Sequence, residues 1–417
     1  MDKLLVKGNK RINGRMRNQT SKNAVLAMLA ASILTDKEVI IRQCPKITDV
    51  DNMAKILVEL GCKVKWEGDS LVIDCSSAHR HEIPHSLAKE LRSSIFMLGP
   101  ILGRFHKAKV AYPGGCDIGI RPIDLHIKGF KALNIDIDES GDTICCDGKD
   151  IKGNIIHLDF PSVGATENIM MAAVFAEGTT VIKNAAKEPE IADLQNFINA
   201  MGGKISGAGS STIEIEGVKK LGSVDYTPIS DRIVAGTYLI AAAITGGSIE
   251  VENCHPEHIY SLITKLRETT CKVEYFNDKI YLTAPKTLQS IHKIETMPFP
   301  GFPTDLQAQI LALMTVTNGT SLIVENIFET RYKHVAELLK MGAKITVKDR
   351  MAIVRGVPKL YGANVYAYDL RGGAALVMAG LAADGLTQIN GIHHIDRGYE
   401  DLAGTLQSLG ADIKRIT

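Results

Sequence analysis

The sequence predicts an α/β protein of two domains, each built from three copies of one repeated unit. The chain has 417 residues, which is more than one ordinary hydrophobic core accommodates. A pattern of helix, glycine turn and β-branched strand returns six times along it. The copies follow one another in steps of 73, 68, 68, 72 and 68 residues, counted between the matched positions Gly61, Asn134, Gly202, Thr270, Gly342 and Gly410.

Each repeat contains the elements of one α/β unit. The first strands read EVIIRQC, AKVAYPG, TTVIKNA, GSIEVEN, TSLIVEN and LTQINGI, with the β-branched alternation typical of strands. A second helix follows, with apolar residues at three- and four-residue intervals, as in HVAELLKMG. Units of about 70 residues are larger than solenoid repeats, so we expect three of them to cluster into each compact domain.

The boundary between the domains is predicted at GSVDYTPISDR, residues 222–232. This polar stretch with glycine and proline follows the third repeat. It gives one domain of residues 22–229, which carries the loop around Cys116, and a second domain of residues 1–21 and 230–417. The chain crosses between the domains near its beginning, because the first strand precedes the first helix of repeat one.

Composition favours a cytoplasmic protein that acts on small molecules. The 48 basic and 47 acidic residues leave a net charge of +1, which gives no electrostatic reason to expect nucleic acid or membrane partners. The beginning, MDKLLVKGNK, lacks the apolar core of a signal peptide, and the longest apolar run, residues 24–34, cannot span a bilayer. The eight cysteines form neither CxxC pairs nor a disulfide-framework spacing, as expected in a reducing cytosol. The oligomeric state stays open.

Polar residues concentrate in the segment after the first strand of several repeats. Repeat two has a cysteine among glycines, PGGCDIGIRPIDLH, where an exposed and unusual backbone is expected. Equivalent loops of symmetric units tend to collect in one place, so we expect a cleft between the domains that takes a small anionic substrate. The residues concerned are Cys116 to His126, Glu188, Glu190, Arg331 and Arg397.

Basic residues recur at helix starts and in glycine-containing turns. Lys22, Arg92 and Arg371 are predicted to open helices, and Arg121 and Arg397 lie in turns. For any one of them a solvated surface charge is the simpler interpretation. Five at comparable places favour a site that binds phosphate or carboxylate together with backbone N–H groups.

Neither a metal nor an organic cofactor is predicted. HEIPH at residues 81–85 matches the HExxH zinc motif letter for letter. That motif needs a helix to place both histidines on one face, and Pro84 in its middle argues against one.

Six motifs give the chain a resemblance to a known family. They are SKNA at 21–24, PGGCDIGIRPIDLH at 113–126, PSVGATENIM at 161–170, FPGFPTDLQAQ at 299–309, DLRGGAALVMAGL at 369–381 and HIDRGYED at 394–401. In these motifs, and in their order along the whole chain, the sequence resembles the UDP-N-acetylglucosamine 1-carboxyvinyltransferases, a family of enolpyruvyl transferases.

The resemblance implies a fold and a reaction. The fold would be two inside-out α/β domains of three repeats each. The enolpyruvyl group of phosphoenolpyruvate would pass to the 3-hydroxyl of UDP-N-acetylglucosamine with release of phosphate, the first committed step of peptidoglycan precursor synthesis. No cofactor would be needed. The family is also a target of fosfomycin, which would alkylate Cys116.

The resemblance also implies residue roles. The catalytic set would be Cys116, Asp305, Lys22 and Arg397. Phosphoenolpyruvate would contact Lys22, Asn23, Arg92, Arg121, Arg371 and Arg397. The nucleotide sugar would contact Asn23, Arg92, Arg121, Pro122, Ile123, Asp124, His126, Ser162, Val163, Gly164, Asp305, Ile327 and Arg331.

The chemistry itself needs an acid and a base. Addition of an alcohol across an enol ether places a proton on one carbon and removes one from the alcohol. Cys116 can be the acid only as a thiol, and nearby arginines favour the thiolate, so its role as acid or as nucleophile stays open. Asp305 is the candidate base, although it could instead cap the helix that begins nearby.

Two other functions stay open. One is a transferase like 5-enolpyruvylshikimate-3-phosphate synthase, which the cysteine loop disfavours. The other is a non-catalytic paralogue that binds UDP-sugars. A departure from the family pattern favours the latter slightly: Thr20 and Ser21 stand before Lys22 where relatives carry glycine and alanine. Loss of a permissive glycine could alter the loop that presents Lys22 and Asn23.

Overall fold

The structure is a computed structural model that describes residues 2–84, 87, 92–112, 123–139 and 141–417, without the side chains of 92–94. The described residues form two compact units. Residues 2–19 and 230–417 make up the first, here called the Asp305 unit. Those between 20 and 229 make up the second, here called the Lys22 unit. Helices and strands are numbered in chain order.

The strands of the Lys22 unit form three small sheets. One has the order β13 (Val224–Tyr226), β3 (Glu38–Ile41), β5 (Ser70–Asp74) and β4 (Lys63–Glu67). The next has the order β6 (Lys107–Ala111), β8 (Thr143–Asp147) and β7 (Asp136–Asp138). The third has the order β11 (Lys204–Ser206), β12 (Thr212–Glu216), β10 (Thr179–Lys183) and β9 (Ile155–His157). β13 pairs in parallel with β3, and β9 pairs in parallel with β10. The remaining strand pairs of this unit are antiparallel.

The described helices of this unit are α1 (Lys22–Ala31), α2 (Thr48–Glu59), α3 (Leu98–Phe105), α4 (Asp124–Ala132), α5 (Val163–Ala173) and α6 (Pro189–Ala200). A 3-10 helix over Arg92–Met97 leads into α3. Helix α3 packs against α5, and their backbones come very close: a Cβ on Gly99 would lie 2.2 Å from the carbonyl oxygen of Asn168. Position 99 therefore tolerates no side chain.

The Asp305 unit has three four-stranded sheets. The first has the order β21 (Asn364–Tyr366), β22 (Leu386–Asn390), β1 (Lys3–Lys7) and β23 (Asp412–Ile416). The second has the order β15 (Lys272–Phe276), β16 (Lys279–Thr283), β14 (Ser248–Glu252) and β2 (Asn13–Arg17). The third has the order β17 (Lys293–Glu295), β18 (Thr320–Val324), β20 (Met351–Arg355) and β19 (Lys344–Lys348). The helices are α7 (Arg232–Ile244), α8 (Tyr260–Glu268), α9 (Gln307–Met314), α10 (His334–Lys340), α11 (Leu370–Ala382) and α12 (Leu402–Ser408). Helices α7, α9 and α11 pack on one another.

The predicted inside-out α/β architecture is confirmed by the burial of the helices. All eight residues of α9 are buried, as are all residues of α7 except Arg232 and all residues of α11 except Ala382. In the Lys22 unit, α1 and α5 are buried over nearly their whole length. These helices are predominantly apolar around their whole circumference, as is typical of helices in the middle of a core. Strands such as β12 and β14 alternate in burial and carry polar residues on their outer faces.

The six matched positions used to find the repeat share one backbone conformation. All have positive φ, from 64° at Asn134 to 101° at Gly202, and each follows the second helix of its repeat. A left-handed residue there ends the helix and turns the chain into the next strand. Glycine and asparagine adopt it readily, which explains the recurrent glycine. Thr270, at φ 71°, is the exception.

The structure contains a disulfide that the cysteine spacing did not predict, between Cys62 and Cys75. The register of β4 and β5 pairs Lys63 with Asp74, so the two cysteines that flank these strands lie directly opposite each other, with Cα atoms 4.2 Å apart. The pairing follows from strand register, which the cysteine spacing does not specify. Cys44, Cys146, Cys254 and Cys271 are buried, as expected of core residues. No helix in the described part of the chain is long and apolar enough to cross a membrane.

Candidate active site

Lys22 begins helix α1 as predicted, and its ammonium group is held by a buried carboxylate. Ser21 is the N-cap and accepts a hydrogen bond from the backbone N–H of Ala24. Lys22 Nζ lies 3.0 Å from Asp49 Oδ2, and the side chain of Asp49 is only 1 % exposed. Asp49 stands in the first turn of α2, where the helix dipole favours a negative charge. The contact fixes the position of the Lys22 side chain.

The residues that depart from the family pattern have ordinary structural roles. Thr20 donates a hydrogen bond from Oγ1 to the carbonyl oxygen of Gln43, at 2.5 Å. Neither Thr20 nor Ser21 has a positive φ, so no glycine is required at either position. Asn23, half-buried, follows Lys22 in the first turn of α1. The chain therefore presents Lys22 from a regular, capped helix.

Four of the predicted residues have no described side chain. Cys116, Arg121 and Pro122 lie outside the described residues. Arg92 begins the 3-10 helix that leads into α3, as the sequence predicted, but its side chain is not among those described. The roles of these four residues stay predictions.

The remaining nucleotide-sugar candidates of the Lys22 unit lie on two helices. Ile123 precedes α4, and Asp124 is its first, exposed residue. His126, in the first turn of α4, is buried, and its Nδ1 lies 2.8 Å from Nδ2 of Asn168 on α5. Burial lowers the pKa of the His126 imidazole to about 4, against the opposing charge of Asp124. The ring is therefore neutral near pH 7.

The N-terminus of α5 lies beside the His126 ring. Ser162 is the N-cap and accepts from the backbone N–H of Ala165, at 3.3 Å. Val163 and Gly164 form the first turn, where backbone N–H groups have no partner within the helix. A Cβ on Gly164 would lie 2.8 Å from the Phe96 ring and 3.4 Å from Nε2 of His126. The unit thus brings together His126 and the segment Ser162 to Gly164, an arrangement of donors suited to an anion.

A buried carboxyl group stands further along α5. Burial, and then the negative charges of Glu190 and Glu188, raise the pKa of Glu167 well above its usual range. Glu188 is the N-cap of α6 and Glu190 lies in its first turn. Glu188 and Glu190, which the sequence predicts near the site, form with Glu167 a group of three interacting carboxyl groups.

Asp305 contacts two buried arginines in the Asp305 unit. Arg331 Nη2 lies 2.7 Å from Asp305 Oδ1, and Arg371 Nη2 lies 3.1 Å from Oδ2. The arginine side chains are 2 % and 5 % exposed, whereas Asp305 is 29 % exposed. The idea that Asp305 caps the following helix is wrong: it sits inside the 3-10 helix Thr304–Leu306, and its carboxylate is directed to the arginines.

Arg371 is placed by the start of helix α11. The N-cap Asp369 accepts from the backbone N–H groups of Arg371 and Gly372, at 2.9 and 2.8 Å. Burial, the largest single effect, disfavours the guanidinium charge, but Asp305, Tyr399 and Asp231 together outweigh it and raise the pKa of Arg371. In the described part of the chain, Nη1 of Arg371 is buried and has no hydrogen-bond partner. It is a donor available to an anionic ligand.

A fully buried glutamate links Asp305 to Ile327. Glu325 Oε1 accepts from the backbone N–H groups of Ile327 and Phe328, at 2.9 and 3.1 Å. Its Oε2 accepts from Oγ1 of Thr304, which in turn accepts from Arg331. One carboxylate therefore fixes both the turn that carries Ile327 and the residue before Asp305.

Arg397 ends a 3-10 helix over Ile392–Arg397. The turn that follows is held by Gln19: its Nε2 donates to the carbonyl oxygen of Gly398, at 3.1 Å, and its Oε1 accepts from the backbone N–H of Glu400, at 3.2 Å. Gln19 directly precedes Thr20 and Ser21, the residues that depart from the family pattern. Its two hydrogen bonds order the backbone next to Arg397, a candidate phosphoenolpyruvate-binding residue.

The sequence reasoning missed several residues that hold the predicted ones in place: Asp49, Asn168, Glu325 and Asp369. Asn168 and Asp369 stand inside motifs that were recognised, PSVGATENIM and DLRGGAALVMAGL. Asp369 carried a usable signal, since an aspartate before an apolar helix predicts an N-cap. The partners of Asp49 and Glu325 depend on tertiary packing, for which the local sequence gives no signal.

No candidate metal centre occurs in the described residues, where no group of three or more His, Cys, Asp or Glu side chains is arranged to hold an ion. Of the HEIPH motif, residues 81–84 are described and are not helical, and Glu82 forms a bridge to Lys109.

Comparison with known proteins gives consistent matches over the whole chain. The sequence model described as EPSP synthase (3-phosphoshikimate 1-carboxyvinyltransferase) matches residues 6–406. A protein of Caldanaerobacter subterraneus subsp. tengcongensis named UDP-N-acetylglucosamine 1-carboxyvinyltransferase 2 is 53 % identical over 416 residues, covering all of both chains. A protein of Staphylococcus aureus named UDP-N-acetylglucosamine 1-carboxyvinyltransferase 1 is 48 % identical over 420 residues, again covering all of both chains.

Solved structures show the same fold. The enolpyruvyl transferase NikO from Streptomyces tendae superposes with a TM-score of 0.89 at 23 % identity, covering 100 % of this chain and 99 % of that one. EPSP synthase from Acinetobacter baumannii superposes with a TM-score of 0.76 at 18 % identity, covering 100 % of both chains. At these identities the superpositions bear on the fold alone.

Proposed function

The chain belongs to the EPSP synthase family of carboxyvinyltransferases, and on that premise we propose that it transfers the enolpyruvyl group of phosphoenolpyruvate to the 3-hydroxyl of UDP-N-acetylglucosamine. Phosphate is released, and the product enters peptidoglycan precursor synthesis. The observation that carries the choice of acceptor is the 53 % identity, over its full length, to a relative named for this reaction. The matches to EPSP synthases show the family and the fold, and they do not indicate which acceptor the chain uses.

The reaction balances with an acid and a base and no redox step. The acceptor hydroxyl loses its proton and its oxygen bonds to C2 of phosphoenolpyruvate, while C3 gains a proton. The resulting tetrahedral centre then loses phosphate from C2 and a proton from C3, which restores the double bond. Asp305 is our candidate for the base, and Cys116 for the group that serves C3.

The contacts of the Asp305 unit support this assignment of the base. Two buried guanidinium groups flank the carboxylate of Asp305, so fixed cations and a proton acceptor lie side by side. Such fixed cations stabilise the carboxylate and phosphate of phosphoenolpyruvate without reorganising during the reaction. A carboxylate oxygen has a second lone pair in addition to the one that the arginine occupies, so Asp305 can still accept a proton.

The contacts of the Lys22 unit support the rest of the proposal. Lys22, held by Asp49, is a fixed cation for phosphoenolpyruvate, to which we also assign Asn23, Arg92, Arg121, Arg371 and Arg397. His126 and the first turn of α5 offer donors for the diphosphate of the sugar nucleotide. Domain limits of 22–229 and of 1–21 with 230–417, and a cytoplasmic location, are part of the same proposal.

Phosphate release tests the function directly. Purified protein is incubated with phosphoenolpyruvate alone, with UDP-N-acetylglucosamine, or with shikimate 3-phosphate, and phosphate is measured over time. We expect release only with the sugar nucleotide. Release with shikimate 3-phosphate instead would support the shikimate-type activity. Binding of the sugar nucleotide without any release would support the non-catalytic paralogue, and an inactive Asp305→Asn variant excludes a contaminating phosphatase.

A further inference from the structure

Asn168 of helix α5 is fully buried and makes three hydrogen bonds. Its Oδ1 accepts from the backbone N–H of Gly99, at 2.8 Å. Its Nδ2 donates to the carbonyl oxygen of Ile95, at 2.8 Å, and also lies 2.8 Å from Nδ1 of His126. The three partners belong to the segment that begins at Arg92 and to helix α4.

The two backbone contacts fix which way the amide of Asn168 points. A backbone N–H can only donate, so Gly99 must face the oxygen; a carbonyl can only accept, so Ile95 must face the nitrogen. One hydrogen of the Asn168 NH₂ group is thereby used, and the other is directed at His126. Since a donor faces Nδ1, that ring nitrogen must be the unprotonated one.

The proton of the neutral His126 ring is therefore on Nε2. Within the described part of the chain Nε2 has no hydrogen-bond partner. It lies beside the first turn of α5, since a Cβ on Gly164 would be 3.4 Å from it. The backbone N–H groups of that turn and the Nε2–H of His126 are therefore neighbouring hydrogen-bond donors. Because residue 164 is glycine, no side chain at that position separates them.

We propose that Asn168 is a positioning residue, which holds His126 as an Nε2–H donor for the diphosphate of the nucleotide sugar at the N-terminus of α5. The ligand rests on the function proposed above; the hydrogen-bond lock rests on contacts within the Lys22 unit. In the other tautomer Nε2 would present a lone pair to the phosphate oxygens, and the interaction would be repulsive. Asn168 therefore contributes to binding without touching the ligand.

The same amide also orders the segment that starts at Arg92. Ile95 lies in the 3-10 helix Arg92–Met97 and Gly99 in the first turn of α3. A purely structural role would be to join α3 to α5, for which the tautomer of His126 is irrelevant. The two roles differ in one observable, the nitrogen that carries the proton.

The variant that separates the roles is Asn168→Asp, with Asn199→Asp as its matched control. A carboxylate can only accept, so it keeps the bond from Gly99 but draws the His126 proton to Nδ1. Asn199 makes the same two types of backbone contact, both to Ile205, at 2.8 and 2.7 Å, and does not contact His126. Both variants replace one amide by one carboxyl in the same unit.

The first measurement is the tautomer in the free protein. Long-range proton–nitrogen NMR on histidine-labelled protein identifies the protonated ring nitrogen, and His126→Gln assigns the signal. We expect Nε2–H in the wild type and in Asn199→Asp, and a protonated Nδ1 in Asn168→Asp. A wild-type ring protonated on Nδ1 overturns the proposal, and this result does not depend on whether any variant folds.

The second measurement is the affinity for UDP-N-acetylglucosamine by calorimetry. At about pH 9, where the ring in Asn168→Asp is neutral and Nε2 bare, we expect binding about tenfold weaker than in wild type. At about pH 6 the ring gains a proton on Nε2 beside the new carboxylate, and affinity should recover. Asn199→Asp should follow the wild type at both pH values. Among the described residues, Asp124 is the charged side chain that acts on His126 in the wild type, and it is unchanged in both variants.

The outcomes distinguish this proposal from the proposed function. If Asn168→Asp carries its proton on Nδ1 and still binds UDP-N-acetylglucosamine like the wild type at about pH 9, the positioning role is overturned while the transferase function stands. If the wild type binds no UDP-N-acetylglucosamine, the proposed function and the ligand named here are both overturned.

Discussion

The carboxylate of Asp305 accepts a hydrogen bond from Arg371, with Nη2 and Oδ2 3.1 Å apart. Arg371 is buried, and its remaining Nη1 has no hydrogen-bond partner in the described residues. The guanidinium thus has one nitrogen on the candidate base and another free for an anion. An anion bound at Nη1 would be coupled to the position of the base, because one planar group would then contact both.

Replacement of Asp305 by asparagine should abolish most of the activity without unfolding the protein. The amide keeps the size of the side chain but cannot remove a proton from the acceptor hydroxyl, so we expect kcat to fall by about 10²- to 10⁴-fold. Initial rates of phosphate release measure this. Glu329→Gln is the control, since Glu329 also pairs with an arginine of this unit, Arg350, at 2.6 Å, but on the surface. An Asp305→Asn enzyme with the kcat of the wild type would exclude Asp305 as the base.

Loss of the Asp49 charge should weaken the binding of phosphoenolpyruvate. Asp49 is buried and holds the Lys22 ammonium at 3.0 Å, so Asp49→Asn releases this group from its position. We expect KM for phosphoenolpyruvate to rise about tenfold, and the free energy of unfolding to fall by about 2 kcal/mol. Steady-state kinetics and urea denaturation measure the two effects.

Asp36→Asn provides the comparison for Asp49→Asn, because the Asp36–Lys37 pair lies on the surface with both side chains 61 % exposed. Exposed pairs contribute little, so its kinetics and stability should remain those of the wild type. If Asp49→Asn behaves like Asp36→Asn, the buried contact does not position Lys22.

Cys116, which lies outside the described residues, is open to a chemical test. If its thiolate opens the epoxide of fosfomycin, intact-mass spectrometry should detect the protein plus one molecule of the compound. Cys116→Ser should show no mass increase. Since the buried cysteines 44, 146, 254 and 271 remain in that variant, they serve as internal controls. A wild-type protein that stays unmodified after incubation with UDP-N-acetylglucosamine and fosfomycin would count against the role of Cys116.

The repeat pattern was sufficient to predict the architecture. The recurrent strand and helix pattern predicted six α/β units, and the described residues form six sheets, three in each unit of the structure. Local pattern works here because burial is decided within each element: helices such as α7 and α11 are apolar all round and belong to a core. Lys22 and Arg371 lie at the starts of helices, as the capping residues before them indicate.

Contacts between distant residues could not be predicted in the same way. Glu325 supports Ile327 and Thr304 because two segments meet in the fold, and Asp49 meets Lys22 across two helices. The disulfide between Cys62 and Cys75 depends on the register of β4 and β5. A glycine pattern or a charged residue in the sequence predicts only local structure, whereas these contact partners are determined by tertiary packing.

The buried His126 should make the stability of the protein depend on pH. Its pKa is lowered to about 4 in the folded state by burial, and is about 6.5 when unfolded. The unfolded chain therefore binds the proton more readily, so this contribution is fully present above about pH 6.5 and is lost as the pH falls toward 4. Urea denaturation at about pH 8 and about pH 5 should show a loss of about 2 kcal/mol from this group. In His126→Asn the decrease in the free energy of unfolding between these pH values should be smaller by that amount. Equal decreases in the variant and the wild type would show that His126 does not cause the effect.

Thr270 offers a stabilising substitution that follows from the repeat. It occupies the position where four other repeats have glycine and one has asparagine, and its φ is 71°. A β-branched residue in the left-handed region is strained by about 1–2 kcal/mol. Thr270→Gly removes this strain, partly offset by the greater freedom of glycine in the unfolded chain, so we expect the free energy of unfolding to rise by about 0.5–1 kcal/mol.

The reverse change at the matched position of repeat three tests the same argument. Gly202 has φ 101°, and a Cβ built on it would meet no atom within 4 Å, so Gly202→Thr introduces strain without a clash. We expect it to lower the free energy of unfolding by about 1 kcal/mol. Thermal and urea unfolding of both variants measure the two shifts. Because the substitutions act on the backbone alone, activity should not change; shifts of the same sign in both variants would show that left-handed strain does not determine the residue at this position.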